Sequence, residues 1–302
     1  MKNGFLKRNK IFNINLLYVC SLIPIILFAF YKNGYLMYKN GYMSFFKSTQ
    51  YIVIPIVIIV LSYVWEVYYH ILFKKEENMD NVFNTIVPFA NALCYLVCGP
   101  MDKLYITVPI IVLLDIILKF VDKRLDINQV ALFKIILFAF LSILGMYNNA
   151  NLYERAVSIS FELPDYFLGR GIGEIGVTSA VFAMVGFIIL IFNKYYKYDI
   201  AICSVVAYCI VGLVMYFVGG LKFSELLINS FTSGFLFVSI FVASFSNATP
   251  VVRSGRILYG LLVGFLSCIM INVLDFNIGM YIVILLLGLC TPLFNKFRVN
   301  LD

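Results

Sequence analysis

Long stretches without charge recur along this whole sequence. From Ile200 to Leu221 there is not one charged side chain. A helix needs about 20 mostly apolar residues to cross the hydrocarbon of a bilayer. Ten segments approach that requirement: 14–31, 51–73, 82–99, 104–121, 130–147, 176–193, 199–218, 225–244, 255–274 and 278–294. No segment alternates with the period of two that a lipid-facing strand requires, so the expected fold is an all-α polytopic membrane protein. Composition agrees: 62% of the 302 residues are hydrophobic and 13% are charged, against roughly 25% charged in soluble domains. Soluble enzymes and nucleic-acid binders are excluded on the same ground, since no basic run is long enough to follow a phosphate backbone. The seven cysteines all fall in apolar runs, which argues against a disulfide framework. The basic stretch Met1–Lys10 before the first apolar run has no small-residue cleavage site after it, so it reads as the lead into a retained first helix.

Loop charge sets the expected orientation. With the N-terminus inside, the inner segments hold 15 Lys and Arg residues and the outer ones 7. Both termini are therefore expected in the cytoplasm and the protein in the plasma membrane, next to anionic lipid. The Tyr- and Lys-rich stretch 31–50, with its Lys-Asn-Gly-Tyr repeat at 32–35 and 39–42, reads as an outer interfacial belt.

The longest loop, 148–175, divides the chain into halves of five spans each, 1–147 and 176–302. An odd number per half requires inverted topology. The third span ends in Gly99-Pro100 and the eighth near Thr249-Pro250, and both carry Thr and Asn residues. Interrupted segments at matching positions of two halves point to a midplane site. The third span holds Asn84, Thr85, Pro88 and Asn91, so it is expected to face other helices or a polar cavity.

Charged residues inside apolar runs cost free energy unless they serve a purpose. Glu66, Asp115, Lys119 and Lys134 lie in or at the edges of spans. Asp115 and Lys119 are four apart and can pair on one helix face, while the lysines can also reach the interface. Glu66 and Asp115 are the ion-pathway candidates. Cys94 and Cys98 share a face, but two thiols fall short of a closed metal site, and no metal is expected. A glycine-rich stretch, Gly169 to Ser179, precedes the sixth span. Its glycines allow close backbone approach, and Gly169, Gly173, Gly176, Thr178 and Ser179 are candidates for holding an anionic or planar ligand. The competing reading is a helix-entry loop closed by a Ser or Thr cap.

These residues also carry a family resemblance. The run Leu163-Pro164-Asp165-Tyr166-Phe167-Leu168-Gly169 with Gly173, Gly176, Thr178 and Ser179, the stretch Ala243 to Gly260 with Thr249-Pro250, and the end Leu285 to Phe294 resemble the RnfD/NqrB family. Its members are membrane subunits of the Rnf and sodium-translocating NADH:quinone oxidoreductase complexes. The likeness covers about residues 160–295 and is faint before them. It implies ten helices in two inverted halves and a subunit that moves electrons across the membrane, coupled to ion translocation or feeding extracytoplasmic flavoproteins in extracellular electron transfer. It adds Thr249 and Pro250 to the cofactor-binding candidates. It also implies a flavin, which the family attaches through a Thr in an outer loop. The matching loop here, Tyr147 to Glu162, contains no Thr, so a covalent FMN is not expected and the flavin, FMN or riboflavin, is expected to be noncovalent. The implied partners are the bilayer, other membrane redox subunits and an extracytoplasmic flavoprotein. A competing class is a small-solute or vitamin channel of urea-channel-like fold, and a third is a scaffold subunit without a cofactor.

Overall fold

The computed structural model describes residues 17–74, 85–99, 104–120, 127–143, 161–171, 173–245 and 248–296. Among them there is helix and loop and no strand. Four helices are long and apolar enough to span a bilayer: α1 (Leu17–Lys39), α2 (Phe45–Leu72), α8 (Tyr198–Gly219) and α11 (Arg253–Asn272). A bent pair, α9 (Phe223–Thr232) and α10 (Phe235–Ala243), makes a fifth when taken as one span. The shorter apolar helices are α3 (Val87–Leu96), α5 (Gln129–Ile143), α7 (Ala180–Ile191) and α12 (Gly279–Leu289). Between them lie α4 (Thr107–Phe120) and the six-residue α6 (Leu163–Leu168). Among the described residues, spanning length is thus shown for four or five elements rather than ten.

Local sequence explains the ends. Pro88 sits in the first turn of α3, where its missing N–H is no loss. Ser179 caps α7 by accepting the Phe182 N–H at 3.3 Å. The bend of 57° between α9 and α10 falls at Gly234, whose φ of 71° suits a residue without Cβ. One expectation needs correction. The stretch from Tyr31 is helix rather than loop as far as Lys39: α1 continues through it and buries Lys32, Asn33 and Gly34 on the way.

Packing follows helical periodicity. On α2 the buried residues Tyr51, Ile54, Ile58, Ser62 and Glu66 recur every three or four positions, while Val53, Ile56, Val60 and Val64 form an exposed apolar stripe. That exposed stripe is the face a bilayer would cover. Helices α8 and α11 pack most closely. A Cβ on Gly260 would stand 2.8 Å from the Ile200 carbonyl, so small residues set the interhelical distance.

The two halves of the chain are fastened together. The Ile175 and Gly176 N–H groups donate to the Cys98 and Leu96 carbonyls at 2.9 and 3.0 Å, just past the end of α3. Asn128, entering α5, donates to the Val242 carbonyl of α10 at 3.0 Å. Tyr18, Phe89 and Phe245 form a ring cluster with centroids 4.4–5.4 Å apart.

Candidate functional site

Three polar neighbourhoods interrupt the apolar interior. The first is the glycine segment before α7. Gly169 closes α6 in the left-handed conformation, with φ 89°. Thr178 Oγ1 donates to the Gly169 carbonyl at 3.2 Å, which folds the segment back on itself. Lys32, on α1 and 1% exposed, donates to the Gly171 carbonyl at 2.7 Å and to Thr178 Oγ1 at 2.9 Å. Asn33 donates to the Ile175 carbonyl at 3.1 Å. Gly173, Gly176, Thr178 and Ser179 all lie in this plug. Thr249 and Pro250 do not. Thr249 is held by the Lys197 ammonium through its hydroxyl and its carbonyl, in the turn beyond the far end of α7. The 12 residues of α7 put about 18 Å between the two groups.

The second neighbourhood joins α5, the glycine segment and α12. Lys134 forms an ion pair with Glu174 and donates to the Val97 carbonyl at 3.0 Å. The Tyr281 hydroxyl donates to Glu174 Oε2 at 3.2 Å. Lys134 is legible in the sequence as a charge within a span. Glu174 is not, because its signal, an acid among glycines, reads as a loop residue until the partner is known.

The third neighbourhood lies between α2 and α4. Glu66 lies on the inward stripe of α2, which continues to His70, and Asp115 continues the buried positions Thr107, Ile111 and Leu114 of α4, so helical spacing alone turns both carboxylates inward. Lys119, one turn beyond Asp115, lies between them. Its Nζ is 2.5 Å from Glu66 Oε1 and 3.2 Å from Asp115 Oδ2. His70 Nδ1 is 3.0 Å from the Glu66 carbonyl and 3.6 Å from its carboxylate. The Lys119 ammonium also stands 5.0 Å from the Tyr69 ring centre and 5.7 Å from that of Trp65. Glu66 and Asp115 are each 3% exposed. Among the described side chains, two carboxylates here face one ammonium. An uncompensated buried charge is costly, so such a site favours a further proton or cation. A chain of amides continues inward from this face: Asn91 donates to Ser62 Oγ at 2.8 Å, and Gln129 donates to Asn91 Oδ1 at 2.7 Å.

No group of three metal-ligating side chains, around the buried thiols of Cys94 and Cys98 or elsewhere, occurs among the described residues. Cys98 Sγ instead donates to the Cys94 carbonyl. The loop that carries the family's flavin-bearing Thr falls largely outside the described residues.

Comparison with known proteins puts most of these elements in one context. Residues 136–301 match the model of the NQR2, RnfD, RnfE family. A subunit of the Na(+)-translocating NADH-quinone reductase from Azotobacter vinelandii is 30% identical over 163 residues, 49% of this chain and 38% of the relative. The match thus spans about two fifths of that relative's length. Glu174 and Tyr281 fall inside the matched region, whereas Glu66, Asp115 and Lys119 precede it.

Proposed function

Because this chain belongs to the NQR2, RnfD, RnfE family, we propose that it is the membrane subunit of an electron-transfer complex and that Glu66 and Asp115 form part of a path for cations through it. The observation that carries the second half is the cluster of two carboxylates on one ammonium, Glu66 and Asp115 on Lys119, buried between two helices of a membrane protein. Glu66 lies six residues, about 9 Å, from the end of α2. Loop charge assigns that end to the cytoplasmic side. The cluster then acts as an inner entrance: carboxylate oxygens replace water around an incoming cation, and the amides of Asn91 and Gln129 extend the polar surface beyond it. The relative is named as sodium-translocating and as acting between NADH and quinone; sodium, NADH and quinone are accordingly the ion, donor and acceptor to try first.

The flavin implied by the resemblance does not fit the seven residues named for it. The Ile175 and Gly176 N–H groups are spent on carbonyls of the chain. A Cβ on Gly169 would lie 2.6 Å from Ser179 Cα, and one on Gly176 would lie 2.5 Å from Leu96 Cδ2. The closeness these glycines permit is thus used by the protein itself. Ser179 serves as a helix cap, and Thr249 is occupied by Lys197. No electron-transfer step is assigned to these residues, and in this reading the segment locks the two halves of the chain together. Carriers of the electron would belong to partner subunits of the complex.

Affinity purification of the tagged chain from its native membranes tests the first half of the proposal. Other membrane redox subunits should co-purify, and membranes from a strain without the chain should lose NADH:quinone reductase activity. Purification of the chain alone, with that activity intact in the deletion strain, would contradict it.

A further inference from the structure

Lys119 is held in an unusual manner. Its ammonium touches both carboxylates of the cluster, 2.5 Å from Glu66 Oε1 and 3.2 Å from Asp115 Oδ2, and no other polar partner among the described residues. A second seat is within reach, because the faces of Trp65 and Tyr69 already lie 5.7 and 5.0 Å from the same nitrogen. An ammonium on a flexible four-carbon stem can move from carboxylates to aromatic faces with a small rotation, and those faces attract cations.

We infer that Lys119 is a tethered resident cation which an incoming monovalent metal ion displaces from Glu66 and Asp115 onto Trp65 and Tyr69. The inference rests on reading these two carboxylates as a cation path. Charge counting selects the class of ion. One monovalent ion between the carboxylates, with Lys119 retained on the rings, brings the cluster to neutrality. A divalent ion would leave a buried positive charge, which is disfavoured. Lys119 thereby makes the site selective for monovalent cations, and its return expels the ion. No bond is made or broken in this exchange.

The chain supplies its own reporter, because Trp65 is its single tryptophan. Purified full-length protein in mild detergent is titrated with sodium chloride against choline chloride at constant ionic strength, and Trp65 emission is recorded. The expected result is a saturable emission change with sodium and none with choline. Calcium should give no such change. In Glu66→Gln, Asp115 alone retains Lys119 and the sodium response should vanish. In Lys119→Arg, a guanidinium pinned by two carboxylates should require at least about tenfold more sodium. Indistinguishable sodium and choline titrations of the unaltered chain would overturn the inference, as would a calcium response equal to that of sodium or a sodium response that persists in Glu66→Gln. The unaltered chain decides the matter even if a variant fails to fold. Failure of the broader reading looks different: sodium would change Trp65 emission while redox-driven ion movement ignored Glu66.

Discussion

Lys134 and Glu174 show what a single charge costs inside this molecule. The pair is satisfied by its own contact, by the Val97 carbonyl and by the Tyr281 hydroxyl. Lys134→Met would leave the Glu174 carboxyl without its cation, and breaking a buried pair this way costs about 3–5 kcal/mol. The low end applies here because the Glu174 side chain keeps 20% of its exposure. The double variant Lys134→Met with Glu174→Gln should recover most of the loss, and unfolding curves of the four proteins in one detergent give the coupling directly. The inward direction of Glu66 and Asp115 follows from the sequence, since lipid penalises a charge, whereas Lys134 could equally have reached the interface. Their partners were legible only where both lie on one helix, as with Asp115 and Lys119. Glu66 with Lys119, and Lys134 with Glu174, are brought together by tertiary packing that no local pattern encodes. Lys32 escapes sequence reasoning for the same reason. A Lys-Asn-Gly-Tyr string reads as an interfacial loop, but its polar groups are satisfied by carbonyls of the glycine segment some 139 residues further on.

At the scale of elements, each apolar run produced helix, but the runs did not fix where each helix stops. The third expected span contributes only the 10-residue α3, which ends where its last carbonyls accept from Ile175 and Gly176. The eighth expected span is bent at Gly234. That bend is specific enough to test. A Cβ at Gly234 meets the side chain of Val177, and its left-handed backbone disfavours other residues. Gly234→Ala should therefore cost about 1–2 kcal/mol from backbone strain and a further 1–3 kcal/mol from overpacking. Val177→Ala in the same chain should relieve the second part and leave the first. Thermal unfolding of the unaltered chain and these two variants separates these terms, and an unchanged midpoint in Gly234→Ala would mean that the bend lies elsewhere.

Across the whole molecule, the glycine segment on α3, Asn128 on α10 and Glu174 on Lys134 tie the first five expected spans to the last five. The two parts should consequently associate without a covalent link. Fragments 1–150 and 151–302, expressed together, should co-purify, and Lys134→Met should reduce the yield of the pair; recovery of the tagged fragment alone would argue against this fastening. The loop-charge orientation is tested by a cysteine at Lys194, introduced into a cysteine-free background. It should stay unlabelled when an impermeant maleimide is applied to intact cells and should react once the cells are opened. The central claim is that cations cross this subunit by way of Glu66 and Asp115, and uptake of radioactive sodium into inverted membrane vesicles tests it most directly. Vesicles are energised with the electron donor of the intact complex and carry either the unaltered chain or Glu66→Gln, matched for assembled complex. Redox-driven uptake should fall at least about tenfold in the variant, the equivalent of roughly 1.4 kcal/mol at the entrance. Equal uptake by both would contradict the account.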